Sequence, residues 1–335
     1  MNLRVGWFTN PKLLRFQRKW RFISTNQYDY NFSPGSVWIR CLQLIPFLKE
    51  RGIQSQVNDF QAEVDICVFV RWQSEEAYKV ALSQKKKGRR IVLDLCVNYF
   101  DEAKFEGFGV SSKQVQECQR MVSLADAIVC GSSHIARRAS DYHDQTIHIP
   151  DSINHRHFSM RKREKDFLKQ HPRAIWSGYA PKGEELQLIL PILHRKGIPL
   201  IVIAEQEPKL DWPFKFVRWR YNHFPRQLLR GEFCVAPRRL DNPYNLGHSL
   251  FKVGVFMAQG VPALASPVPS YLEIMGDSKP GAICRSANDW ENVVDSILSD
   301  RGILLEWSRQ SIDIMQKYHT DQIVNRYPEL FYQIA

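Results

Sequence analysis

The sequence predicts an α/β protein made of two doubly wound, Rossmann-like domains facing each other across a cleft. Short β-rich apolar runs alternate with amphipathic helical stretches along the whole chain, as in parallel sheets covered by helices on both faces. The alternation falls into two series separated by the polar stretch 151–171, which contains Arg161-Lys162-Arg163-Glu164-Lys165. A length of 335 residues, at roughly 100–200 per domain, agrees with two domains.

The first series has β-rich runs at 3–8, 66–70, 91–95, 127–130 and 146–149. Between the first two, residues 37–50 carry Ile39, Leu42, Ile45 and Leu48 at helical spacing until Arg51-Gly52 stops the pattern. Lys85-Lys86-Lys87-Gly88-Arg89-Arg90 closes a helix before a strand, where basic side chains suit the negative end of the helix dipole. The second series has runs at 174–176, 200–203, 216–218, 233–236, 263–265 and 282–284. The expected division is 1–150 as an acceptor-side domain, 151–171 as linker, 172–305 as a nucleotide-sugar-binding domain, and 306–335 as a helical tail packing back on the N-terminal domain. Within the tail, the pattern over 304–331 breaks near Pro328.

Composition excludes several classes. Hydrophobic residues at 44% and charged residues at 24% rule out disordered and fibrous chains. No apolar stretch approaches the ~20 residues of a membrane helix. Basic residues recurring from Arg4 to Arg21 leave no apolar core for a secretory leader, so the expectation is a cytoplasmic protein, peripheral at most to the inner face of the cell membrane. Seven cysteines (Cys41, Cys67, Cys96, Cys118, Cys130, Cys234, Cys284) form no CxxC pair and mostly sit in apolar runs, which reads as buried thiols in a reducing compartment. The net charge of +11 is shared, with an excess of six basic residues through Pro150 and five beyond it. Such an excess serves a polyanion, an anionic membrane surface or a phosphate-bearing substrate.

The richest segment for chemistry is Asp241-Asn242-Pro243-Tyr244-Asn245-Leu246-Gly247-His248-Ser249-Leu250-Phe251-Lys252. It reads as a loop and a helix start with Ser249 as N-cap, Gly247 allowing close backbone approach, and Lys252 one turn in. Free first-turn amides, including that of Leu250, together with the helix dipole and an ammonium form an anion site. An ordinary capped helix with a solvated Lys252 gives the same local pattern.

These residues also carry a resemblance. Lys252, Met257-Ala258-Gln259-Gly260-Val261-Pro262, Ala265-Ser266, Glu273 and Gly281 resemble the C-terminal-domain signature of the family 4-like glycosyltransferases of GT-B fold. Ala125-Asp126-Ala127-Ile128-Val129 with Ser132-Ser133 resembles a late strand of that group's N-terminal domain. Ile149-Pro150-Asp151-Ser152-Ile153 with Phe158 resembles its hinge. Ile175-Trp176-Ser177-Gly178 and Lys182-Gly183 resemble the first strand and phosphate-contacting loop of its nucleotide domain, and Ser33-Pro34-Gly35 with Arg40 an acceptor-side loop. The resemblance implies a nucleotide-diphosphate sugar as donor, a glycan or lipid-linked acceptor, and no metal or other cofactor. The absence of a DxD motif or a His/carboxylate cluster at ligand spacing agrees with that. Gly178, Lys182, Ser249, Leu250 and Lys252, with the amides after Gly178 and His248, would neutralise the leaving diphosphate.

The chain departs from the pattern in two places. Where the family has two glutamates eight residues apart, this sequence has Gly247 and Val255; where a basic residue often follows the glycine, it has Tyr179. Either the subgroup is divergent or the donor site is degraded, and the presence of both Lys182 and Lys252 favours divergence.

Asp94 ends a buried strand ahead of Asn98, Tyr99 and Asp101, and either acts on an acceptor hydroxyl as a base or caps a backbone turn. His248, beside the anion site, is with Asp94 the candidate catalytic residue, and His134 at a helix start either approaches a phosphate or is solvated. Trp219, between Arg218 and Arg220, stacks on a nucleotide base or packs as an ordinary tryptophan. Arg238 and Arg239 reach a diphosphate or form a solvated loop pair. Residues 12–22 mix Lys12, Arg15, Arg18, Lys19 and Arg21 with Leu13, Leu14, Phe16, Trp20 and Phe22. That mixture suits an anionic bilayer or nucleic acid, or a solvated loop. The expected function is metal-independent glycosyl transfer from a nucleotide sugar onto a glycan or glycolipid, as in cell-surface polysaccharide biosynthesis. The alternatives are a glycosyltransferase modifying nucleic-acid bases and a non-catalytic sugar-nucleotide or glycan-binding relative.

Overall fold

The computed structural model of the chain describes residues 3–11, 35–105, 108–167, 171–276 and 280–335. They group into two units. One comprises the described residues of Met1–Ser152 with Leu246–His248 and Thr320–Ala335; the other comprises those of Ile153–Asn245 and Ser249–His319. The basic-aromatic segment 12–22 lies outside the described residues.

The first unit is built on a six-stranded parallel sheet. Its strands are β1 (Arg4–Phe8), β2 (Gln54–Val57), β3 (Ile66–Val70), β4 (Arg90–Leu95), β7 (Ala127–Cys130) and β8 (Thr146–His148), in the order β2-β1-β3-β4-β7-β8. A short antiparallel pair, β5 (Ala103–Phe105) and β6 (Phe108–Val110), stands apart from it. The interior strands β3 and β7 are buried at every position, as strands covered on both faces must be. Ser74 caps helix Glu75–Lys86, and a capping box of Ser111 and Gln114 opens helix Ser112–Leu124. The second unit repeats the plan with β9 (Ala174–Ser177), β10 (Leu200–Ala204), β11 (Lys215–Arg218), β12 (Phe233–Ala236), β13 (Ala263–Ala265) and β14 (Gly281–Ile283). All pair in parallel in the order β11-β10-β9-β12-β13-β14. Gly260, in the turn before β13, takes φ 79°, and a Cβ there would lie 2.8 Å from Ser308 Oγ.

The structure differs from the sequence expectation in three places. The stretch 37–50 is not one helix: a π-helical turn, Trp38–Leu42, precedes helix Ile45–Lys49. Pro46 has no amide proton for the preceding turn, so it sits in the first turn of a new helix. The C-terminal tail does not break at Pro328. Helix Gly302–Met315 ends earlier, and Pro328 lies in the first turn of helix Arg326–Ile334, where its missing N–H costs nothing. The edge strand β2 was not expected, because three of its four residues are polar and none is buried.

The seven cysteines are free, and all but Cys96 are buried. Burial pushes the thiols of Cys67, Cys118 and Cys234 up to about 12, so they remain inert thiols. Among the described residues, no helix is long and apolar enough to cross a membrane.

Candidate functional site

In an open parallel sheet, ligands gather at the carboxyl ends of the strands, and in the second unit β9 and β12 are neighbours at the centre. Strand β9 delivers Trp176, fully buried, and then Gly178. A Cβ at Gly178 would lie 2.5 Å from the Trp176 ring, so the chain leaves the strand this closely only because residue 178 is glycine. Strand β12 delivers Arg238 two residues past its end. The Arg238 backbone N–H donates to Ser266 Oγ at 2.8 Å, and its guanidinium, almost fully buried, pairs with buried Glu185. The Asn245 side-chain amide donates to Glu185 Oε1 at 2.9 Å and to the Arg239 carbonyl at 2.8 Å. Burial works against the Arg238 charge, but Tyr271 and Glu185 hold its pKa above the ordinary value.

Lys252, in helix Phe251–Met257, projects into the same cluster. The residue is half-buried along its stem, while its Nζ is buried and makes no hydrogen bond. The ammonium lies over the Trp176 ring, 4.4 Å from the centroid, where the ring face partly compensates the charge. Burial, then the neighbouring Arg238, depresses the Lys252 pKa well below the ordinary lysine value, with Glu185 opposing. Lys182 donates to the Tyr244 hydroxyl at 3.3 Å. One buried carboxylate thus faces the two cations Arg238 and Lys252. The arrangement is short of negative charge, and an anion placed there would meet a desolvated ammonium with all its protons available.

The helix-start model of this site is corrected. Helix Phe251–Met257 has Leu250, not Ser249, at its N-cap, and no side chain caps it. Ser249 Oγ instead accepts a long bond, 3.4 Å, from the Phe251 amide. Leu250 is buried, so its side chain belongs to the core. Of the amides after Gly178 expected to face a diphosphate, that of Ala180 is spent on Glu205 at 3.0 Å. The cationic side chains are therefore the main anion-seeking groups. Trp219 is half-buried and meets Phe224 edge-on at 6.0 Å. Arg239 is an exposed partner of Asp241.

Asp94 and His248 belong to the first unit. Asp94 is fully buried, and both its oxygens accept from Arg40, at 2.9 and 3.0 Å. The Tyr327 hydroxyl adds a third bond at 3.3 Å, and Arg40 also donates to the Ile149 carbonyl and to Asp151. Burial raises the Asp94 pKa, with Arg40 opposing. A carboxylate so engaged is a brace for β4 and the C-terminal helix rather than a base open to an acceptor. His248 follows Gly247, whose carbonyl accepts from Ser132 Oγ at 3.2 Å. Asp101 is tied to Arg138 and to Asn98.

Sequence reading missed Glu185, Asn245, Tyr271 and the role of Trp176. Glu185 follows Lys182-Gly183 in a 3-10 stretch, Ala180–Leu188, whose irregular turn gives no periodic signal. Arg40 was singled out for a loop, whereas it is the centre of a buried ion cluster.

No protein-family model and no curated protein sequence matches the chain. Solved structures do match in three dimensions. Sucrose-phosphate synthase from Thermosynechococcus elongatus superposes with a TM-score of 0.73 at 12% identity, over 99% of each chain. HepE of Anabaena, in complex with UDP and glucose, gives 0.69 at 12% identity, over 99% of this chain and 100% of that one. The catalytic domain of starch synthase IV from Arabidopsis thaliana, bound to ADP and acarbose, gives 0.67 at 9% identity, over 100% and 99%. With two six-stranded parallel sheets and these likenesses over nearly the whole chain, the chain has the GT-B fold, two Rossmann-like domains.

Proposed function

We propose that the protein is a glycosyltransferase that moves a sugar from a nucleotide-diphosphate donor onto a glycan or glycolipid acceptor, as in cell-surface polysaccharide assembly. The observation that carries this is Lys252: a buried ammonium with no hydrogen-bond partner, among Trp176, Arg238 and Glu185. A desolvated cation is costly unless a ligand supplies the missing acceptors. The diphosphate of a sugar nucleotide fits that demand. Its charge grows as the glycosidic bond to the sugar breaks, so the interaction strengthens toward the transition state, which is what accelerates the step. Structures with UDP, UDP-glucose and ADP exist for proteins of this fold, which supports the choice of ligand class.

Arg238, locked by Glu185, and Lys182 would add positive potential around the same group. Lys252 would be the residue that senses the leaving charge. On the acceptor side, residues 12–22 are proposed from sequence alone to approach an anionic lipid surface, with aromatic rings at the headgroup level and lysines and arginines on phosphates.

A thermal-shift screen against nucleoside diphosphates and nucleotide sugars tests the reading, because a ligand bound only by the folded state raises the melting temperature. One nucleotide sugar should stabilise the protein, and its release of free nucleoside diphosphate should depend on an acceptor. No shift with any nucleotide at millimolar concentration would refute it.

A further inference from the structure

The second unit carries another cationic constellation that the donor reading does not use. Arg218 is the last residue of β11, the edge strand, and Arg220, His223, Arg226 and Arg230 follow within twelve positions. With Gln227 they line a pocket of about 220 Å³. Among the described residues, none of the four guanidiniums has a carboxylate partner or any other side-chain partner.

The backbone beneath them is well anchored. Tyr221 and Phe224 are buried, Tyr221 stacks on His157 at 4.1 Å, and Phe224 meets Phe158 and Trp219 edge-on. The buried Gln227 amide donates to the Arg218 carbonyl at 2.7 Å, and the Gln259 amide to the Pro225 carbonyl at 2.8 Å. Apolar side chains of this segment therefore point inward, and all five basic ones stand on the exposed side. Four like charges held on a fixed platform without counter-charge repel one another, and a bound anion relieves that repulsion.

We infer that this pocket binds a compact phosphate-bearing anion. Guanidinium forks match phosphate oxygens in bidentate fashion. The volume is below the 300–1,000 Å³ of pockets that enclose whole drug-sized ligands, so it takes a charged headgroup rather than its carrier. Phenyl, phenol and indole rings are absent from the lining, which removes the stacking surface that single-stranded nucleic acid uses. The inference stands apart from the donor reading, since it involves neither Lys252 nor Arg238.

The test is calorimetric titration of inorganic pyrophosphate into the full chain at physiological salt, in the Lys252→Met background so that binding at the donor site is weakened. Pyrophosphate should bind, and Arg226→Ser/Arg230→Ser should weaken it at least tenfold with the melting temperature unchanged. Arg226→Lys/Arg230→Lys, keeping charge but not the fork, should lose several-fold. Co-sedimentation with phosphatidic-acid vesicles separates the sources. Binding of both probes through the arginines marks a lipid headgroup, and binding of pyrophosphate alone marks a soluble phosphate ester. Unchanged affinity for both probes in the serine variant overturns the inference. So does arginine-dependent binding of a short single-stranded DNA without binding of either probe.

Discussion

Replacing Lys252 by methionine keeps the length of the stem over Trp176 and removes the ammonium, and it should move two observables in opposite directions. In the unliganded protein, Nζ is buried, lacks a hydrogen bond and lies 4.4 Å from the Trp176 centroid. An unsatisfied buried polar group costs about 1–3 kcal/mol, so Lys252→Met should stabilise the empty second unit by about 1 kcal/mol or more. For a unit of this size that raises the melting temperature by about 2–4 °C. Toward a nucleoside diphosphate the same change removes a charge-assisted hydrogen bond worth about 1.5–3 kcal/mol, weakening binding roughly 10- to 150-fold. The pH dependence has a definite sign. An unfolded lysine keeps its proton to about 10.5, whereas the folded empty unit releases it at lower pH. Stability of the wild type therefore rises with pH across that interval, and the methionine variant lacks this rise. A bound diphosphate raises the lysine pKa again, so affinity is fully present below the empty-state pKa and fades as pH rises through the bound one. Calorimetry with UDP and ADP and thermal melts between pH 6 and 10 read all three effects. An unchanged dissociation constant together with an unchanged melting temperature would refute the role given to Lys252.

Glu232 is fully buried and accepts from Arg173 at 2.8–3.1 Å and from Lys162 at 3.0 Å. Burial opposes its charge, but Arg173 and Lys162 hold the carboxyl below its usual 4.5. Its stabilisation is thus present above pH 4.5 and lost as pH falls through the lower folded value. Glu232→Gln should cost about 3 kcal/mol at pH 7, a cost that shrinks as pH falls below 4.5 toward the lower folded value, read by urea unfolding. Gly260→Ala should cost about 2 kcal/mol by the same measurement, since φ is 79° and the new methyl meets Ser308 Oγ and Ile312. Turnover, once a donor is found, should survive EDTA, because side-chain cations are proposed to supply the charge a metal would bring; loss on chelation and rescue by Mg²⁺ or Mn²⁺ would count against the site.

Much of the architecture is legible in the chain because burial leaves a periodic trace. Strands such as β3 and β7, covered on both faces, read as unbroken apolar runs, and their bounds at Ile66–Val70 and Ala127–Cys130 are those the sequence predicts. Gly260 before β13 and the acidic-to-basic polarity of helix Glu75–Lys86 are local chemistry, decided within a few residues. So is the candidacy of Lys252, a cation at the mouth of a helix a few residues after Gly247. Edge strand β2 escaped because half-exposed polar residues carry no such trace.

What tertiary structure decided is pairing across long separations. Asp94 looks the same in sequence whether it is a base or a brace; Arg40, 54 residues away, and Tyr327, 233 away, make it a brace. Glu185 meets Arg238 across 53 residues, while the Lys252 ammonium beside them is left without a hydrogen bond. A side chain's charge is written in the sequence, but its protonation, its partner and its freedom to meet a ligand depend on which distant groups the fold buries beside it.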